Sequence, residues 1–328
     1  MEELLATAVM PVSGGARAER RFHRFVRCAA AALTAAGAAV LAGWAFDVPL
    51  LKGLHPSLVT MKANTAVCFA LAGLALWLLL PGGAAPWRRR TGQACAALVG
   101  LVGLLTMGEY VFGADLGIDQ ILFREAPGAV ATTHLGRMAV NTAAAFLLIA
   151  LALLWLDAEL PGRRFPAEYL ALLLGFVALL ALIGYAYGVG SLYGMVGRLT
   201  AMALHTAVLF ALASAAIFCA RPGRGWMALL TGESLGGMML RRLLPATAAI
   251  LLLLGWLRVL GERLQWYDSI QGAAVFTAVR ILAMVVVIWI AARYLERSDE
   301  ERRKAREVIL AREQHWRSVV QTAPSVIV

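Results

Sequence analysis

The sequence predicts an all-α integral membrane protein of eight transmembrane helices, arranged as four parallel-repeat hairpins and followed by a cytoplasmic helix. Three observations carry that expectation. The 328 residues are 61% hydrophobic and 15% charged, with a mean hydropathy of +0.74, against about 45–50% apolar residues in ordinary soluble domains. Eight mostly apolar runs approach the ~20 residues that a hydrocarbon core of ~30 Å requires: 28–46, 58–80, 93–113, 138–156, 167–188, 200–219, 243–260 and 272–295. A short motif recurs at the start of alternate runs.

Residues 1–27 read as a cytoplasmic N-terminal segment. They carry Arg17, Arg20, Arg21, Arg24 and Arg27 and no apolar run of signal-peptide length, so a mature N-terminus is expected and not a cleaved leader. Arg88 to Arg90, Arg163 and Arg164, and Arg221, Arg224, Arg241 and Arg242 fall on the same side of the predicted topology, whereas the opposite loops are poorer in arginine and lysine. Positive residues stay inside, which places both termini in the cytoplasm and residues 28–295 in the membrane. The net charge of +10 then follows from insertion and from lipid headgroups, and no nucleic-acid partner is expected. Cys28, Cys68, Cys95 and Cys219 have no CxxC spacing and read as small apolar residues.

The motif is M-x-x-[N/H]-T-A-x-x-F. It reads M-K-A-N-T-A-V-C-F from Met61 to Phe69, M-A-V-N-T-A-A-A-F from Met138 to Phe146, and M-A-L-H-T-A-V-L-F from Met202 to Phe210, with a faded copy at Phe276-Thr277-Ala278. The preceding run of each pair ends on two aromatics, Trp44-Ala45-Phe46, Tyr110-Val111-Phe112 and Tyr185-Ala186-Tyr187, with Gly255-Trp256 as a partial fourth. Such ends suit a membrane interface. The motif places a polar layer one or two turns below the outer surface, made of Asn64, Thr65, Asn141, Thr142, His205 and Thr206, with Glu109 and Arg280 as the intramembrane charges near it. Lys62, at the same level, is expected to snorkel to the headgroups.

This layer has two readings. Its asparagines and threonines either join neighbouring helices by hydrogen bonds or line a ligand pocket. His205 replaces an asparagine and is a packed donor, a pocket residue, or a metal or haem ligand. His55 and His134 precede alternate runs on the same side and would have to converge with His205 to form a metal site; copper at Met61, Met138 and Met202 is the soft-ligand alternative. No cofactor is predicted and no catalytic residue is assigned.

The loop 114–137 is either a short interfacial helix that lids the layer or a connector. The stretch 220–245 suits the cytoplasmic surface. Residues 293–317 contain no Gly or Pro and pair Asp299 with Arg303 and Glu300 with Lys304 at i,i+4. Ile288, Leu295, Ile309 and Trp316 fall at one heptad position, interrupted by Arg302, with Arg312 interrupting the companion column. A two-stranded helix over 296–317 or a solvated exit helix fits.

The final stretch H-W-R-S-V-V-Q-T-A-P-S-V-I-V resembles the opening of a PAS domain through Trp316, Arg317, Val320, Ala323, Pro324 and Ile327, while Gln321 and Ser325 depart from it. Together with the motif copies and the stretch Arg221 to Pro245, residues 30–328 resemble the multi-spanning N-terminal region of bacterial PAS-containing sensor histidine kinases and of similarly built diguanylate cyclases. The resemblance implies that 296–317 is a signalling helix, that 318–328 begins an incomplete PAS domain, and that further domains follow. It also implies a homodimer through the exit helix in the bacterial inner membrane, with a response regulator as partner of the kinase. His315, followed by W-R-S, lacks the H-E-x-[R/K]-[T/N]-P-L setting of a phosphoacceptor and is assigned to the linker. The stretch has no P-loop, G-x-S-x-G or HExxH, so no catalytic activity is expected of these residues alone. A small-molecule transporter and a haem- or quinone-binding membrane protein are the competing classes. The first needs Gly/Pro-broken helices near the midplane, the second facing histidines on two helices.

Overall fold

The computed structural model describes residues 13–81, 85–194, 200–232 and 234–322. The first twelve residues of the predicted N-terminal segment and the PAS-like end from residue 323 lie outside them. The described residues form helices without a β-strand: α1 (Ser13–Ala45), α2 (Pro49–Gly53), α3 (Ala63–Leu79), α4 (Pro86–Phe112), α5 (Val140–Leu154), α6 (Pro166–Tyr187), α7 (Leu204–Cys219), α8 (Gly225–Thr231), α9 (Leu235–Arg263) and α10 (Ser269–Thr322), with a 3₁₀ turn at Gly190–Tyr193. Two compact units divide the chain after Thr231.

Among the described residues five helices are long and apolar enough to cross a membrane: Glu19–Ala45 of α1, α4, α6, Gly236–Arg263 of α9 and Ser269–Glu296 of α10. The apolar helices α3, α5 and α7 are shorter, with 17, 15 and 16 residues, or about 22–26 Å at 1.5 Å per residue. Their shortness corrects the expected starts at 58, 138 and 200. Hydropathy runs through the M-x-x part of the motif, but the backbone there is extended and helix begins only beside the Asn or His.

A recurring hydrogen bond accounts for the extended segments. Trp44 Nε1 donates to the Met61 carbonyl at 2.9 Å, Tyr110 Oη to that of Met138 at 3.1 Å, and Tyr185 Oη to that of Met202 at 2.6 Å. Each donor is the first aromatic of its pair, turned inward, whereas Phe46 and Phe112 point out. Non-helical backbone is tolerated within an apolar medium only where protein satisfies it, and all three methionines are buried.

In the first unit the packing closes a ring. α1 lies on α3, α3 on α4, α4 on α5, α5 on α6, α6 on α7, and α7 returns to α1; α3, α5 and α7 also touch one another inside it. At their meeting point Phe69, Phe146 and Phe210, the last residues of the three motif copies, are fully buried with ring centroids 4.9–5.0 Å apart. Alanines beside them, such as Ala66, Ala143 and Ala207, allow the helices to come this close. Truncating Phe146 to alanine is expected to remove about 3–5 kcal/mol of stability, read as a lowered midpoint of denaturant unfolding in detergent, with Phe146→Leu losing less.

The second unit departs from the sequence reading. α9 starts at Leu235 and runs through Pro245, so the stretch 220–245 holds α8, at the end of the first unit, and the first turns of α9. α10 is already helical before Phe276, and Thr277 is exposed, bonding the Ala273 carbonyl of its own helix. The extended segment of the other copies is therefore absent here. Within this unit α9 packs on α10, pinned by Tyr267, whose hydroxyl donates to the Arg258 carbonyl at 2.7 Å and whose ring lies 5.9 Å from Phe276. α10 continues unbroken for 54 residues, about 81 Å.

Candidate functional site

Position in the motif fixes position in the helix. Asn64, Asn141 and His205 are the second residues of α3, α5 and α7, and Thr65, Thr142 and Thr206 the third. Helix N-termini expose amide N–H groups and carry the positive end of the dipole. The three threonines are buried, as is Asn64, while Asn141 and His205 are half-buried. Asn64 donates to the Ile118 carbonyl at 3.0 Å. The Asn141 side-chain oxygen accepts from its neighbour's amide, Thr142 N, at 3.0 Å. Among the described residues neither ring nitrogen of His205 has a hydrogen-bond partner.

The loop 113–139 covers this end. It contains no helix, so the expected interfacial helix is not formed, yet it is more than a connector. Glu125 descends from it into a buried cage: Lys62 Nζ at 2.5 Å, Thr60 Oγ1 at 3.2 Å and the Gly136 amide at 2.7 Å all donate to its carboxylate, and Lys62 also donates to Thr132 at 2.8 Å. The loop reaches the third copy as well, with Ala201 N donating to the Ala131 carbonyl at 3.0 Å and the Thr133 and Thr200 hydroxyls 3.2 Å apart. Lys62, only 3% exposed, does not snorkel to the headgroups as expected, because Glu125 supplies a countercharge inside the protein.

A second cage surrounds Glu109, which is completely buried on α4. One of its oxygens accepts from the Leu116 amide at 2.9 Å, and the other lies 3.3 Å from Arg137 Nε. Arg137 Nε donates to Asp119 at 2.6 Å, and the guanidinium lies 5.4 Å from the Tyr110 ring. Arg137 is thus the partner of Glu109, and Arg280 stands on α10 in the second unit.

His55, His134 and His205 do not form a metal-ligand cluster. His55 is exposed and bonds Ser57 at 2.7 Å, and His134 is exposed with its ring edge-on to Tyr110 at 5.9 Å. The one cluster of three possible metal-ligand side chains among the described residues is Glu109, Asp115 and Asp119. It contains no histidine, and the Arg137 guanidinium already occupies the place a cation would take.

Sequence reading selected the motif residues but missed Glu125, Asp119 and Arg137, which hold the end together. The signal was present in the loop between α4 and α5: Asp115, Asp119 and Glu125 cluster in a segment far longer than two antiparallel helices require. What this end offers chemically is a closed, charge-compensated cover over three helix N-termini, with spare hydrogen-bonding capacity at His205.

No protein-family model, no curated protein and no solved structure matches the chain. The fold and this polar end alone define its class: an all-helical protein with several helices fit to cross a membrane.

Proposed function

We propose that the chain is the membrane-embedded signal-input region of a bacterial two-component sensor histidine kinase. In this reading all eight apolar helices span the inner membrane as four hairpins inserted in the same direction, with both termini cytoplasmic. The recurring aromatic-to-methionine hydrogen bond and the phenylalanine triad support repetition in the first three. The layer of Asn64, Thr65, Asn141, Thr142, His205 and Thr206 perceives a small ligand, lipid or membrane state at the outer surface. α10 passes the change to PAS and kinase domains beyond residue 328, and these act on a response regulator.

The observation that carries the reading is α10. Its apolar part, Ser269–Glu296, suffices for the bilayer, and the same helix continues as a polar rod to Thr322. A rigid helix that leaves a bundle converts a small rotation or slide into a change of register below, and a transporter has no need of one. Pairing of two such rods supplies the homodimer.

Single cysteines at Val308, Ile309 and Leu310, all exposed, test this in native membranes of the full-length protein. Oxidation is expected to give strong disulfide dimers at one of the three positions and weak ones at the others, as for helices paired through one face. Monomer at every position removes the dimeric exit helix and with it the proposal.

A further inference from the structure

We propose that the end of the first unit opposite the polar layer holds a binding site for a phosphate-bearing anion. A cavity of about 480 Å³ opens there between the start of α4, the end of α3 and the segment after α7. This lies within the ~300–1,000 Å³ typical of small-ligand sites. Arg88, Arg89, Arg221 and Arg224 line it, against two acids, Asp157 and Glu19.

The arginines divide into a brace and a set left over. Each of the three nitrogens of Arg221 is engaged: the side chain donates to Asp157 at 2.8 Å, to the Leu79 carbonyl at 3.0 Å and to the Ala220 carbonyl at 3.1 Å. It therefore ties the ends of α3 and α7 to the segment after α5 and fixes one wall. Partial burial works against ionisation of Asp157, but the Arg221 hydrogen bond and the charges of Arg221, Arg224 and Arg89 outweigh it and hold its carboxyl below the ordinary range. Asp157 and Glu19 together cannot compensate the four guanidinium groups that line the cavity. Arg224 lies 3.9 Å from Asp157, and Arg88 and Arg89 stand in the first turn of α4 after Pro86, where the helix dipole adds positive potential.

Guanidinium groups beside a helix N-terminus recognise phosphate oxygens by paired charge-assisted hydrogen bonds. The ligand chemistry is a phosphate mono- or diester, supplied by an anionic lipid headgroup or by a soluble phosphate. Arg88, Arg89 and Arg224 would contact it, with Arg221 as a positioning residue. The site requires neither the proposed signalling role nor a particular membrane orientation.

Native mass spectrometry of the whole chain in detergent provides the test, with phosphatidylglycerol, phosphatidylcholine and inorganic pyrophosphate as probes. Wild type is expected to retain phosphatidylglycerol or pyrophosphate over phosphatidylcholine, and R88Q/R89Q to weaken that binding about tenfold. Arg163→Gln/Arg164→Gln, basic residues that do not line the cavity, should leave it unchanged. Preference for the lipid with no competition by pyrophosphate assigns a headgroup; effective competition assigns a soluble phosphate. R88Q and R89Q singly, each expected to weaken binding by a smaller factor, serve if the double variant does not fold. Equal binding by wild type and cavity variants, or equal loss in the Arg163/Arg164 control, overturns the site.

Discussion

Replacing Arg137 by methionine is expected to destabilise the first unit by roughly 3–5 kcal/mol, the usual consequence of removing one partner from a buried ion pair. The side chain is 6% exposed and faces Glu109 at 0% and Asp119 at 8%. Without the guanidinium, two carboxylates lie within the protein near three helix N-termini with no cation between them. The deficit arises from the charges left behind and not from lost packing, since methionine fills much of the arginine's volume. Adding Glu109→Gln and Asp119→Asn to Arg137→Met should therefore restore most of the loss, because a neutral group leaves no unpaired charge. Unfolding midpoints in a mild detergent distinguish the variants. A single variant within about 1 kcal/mol of wild type, the range of exposed pairs, would show that the cage is solvated.

The second large effect is expected at Gly73→Val. A Cβ at Gly73 would fall 2.5 Å from the Ala30 carbonyl oxygen and 2.7 Å from the Thr34 amide nitrogen. Gly37 is its counterpart on α1, where a Cβ would meet the Ala66 carbonyl and lie 2.7 Å from the Ala70 nitrogen. The obstacles are backbone atoms of the facing helix and cannot move aside by changing a rotamer. α1 and α3 would have to separate, opening the ring. Overpacking a core costs about 1–3 kcal/mol where side chains can yield; here the loss is expected at or above the upper end, with reduced folded yield. Gly108→Val on α4 is the control, since its Cβ would meet only Phe112 at 3.9 Å. Equal yields and thermal midpoints for the two variants would contradict the close approach.

The apolar runs were legible because lipid-compatible composition is local information. The motif was legible because it repeats, and it pointed to residues that the fold brings together: its phenylalanines meet at the centre of α3, α5 and α7. Helix starts were not legible. Met61, Met138 and Met202 have the same hydropathy in a helix as in an extended strand; what decides is whether their carbonyls are taken by the chain itself or by Trp44, Tyr110 and Tyr185. The ion pairs were hidden for a related reason. Lys62 and Glu125 are 63 positions apart, and a lysine before an apolar run looks the same whether it reaches outward to headgroups or inward to an acid. The charges also fall outside the positions shared by the motif copies, so the repetition that revealed the layer gave no sign of what covers it.

The proposed signalling role requires that a change in the polar layer be felt by α10. Distances between spin labels at Ile309 of two copies, measured in the full-length protein in lipid nanodiscs, test it most directly when wild type is compared with His205→Asn. That exchange installs the residue the other two copies carry and alters the layer side chain whose ring nitrogens have no partner among the described residues. The account predicts a dimer distance in both proteins and a shifted distribution in the variant. Superimposable distributions, or no intermolecular distance at all, would contradict it.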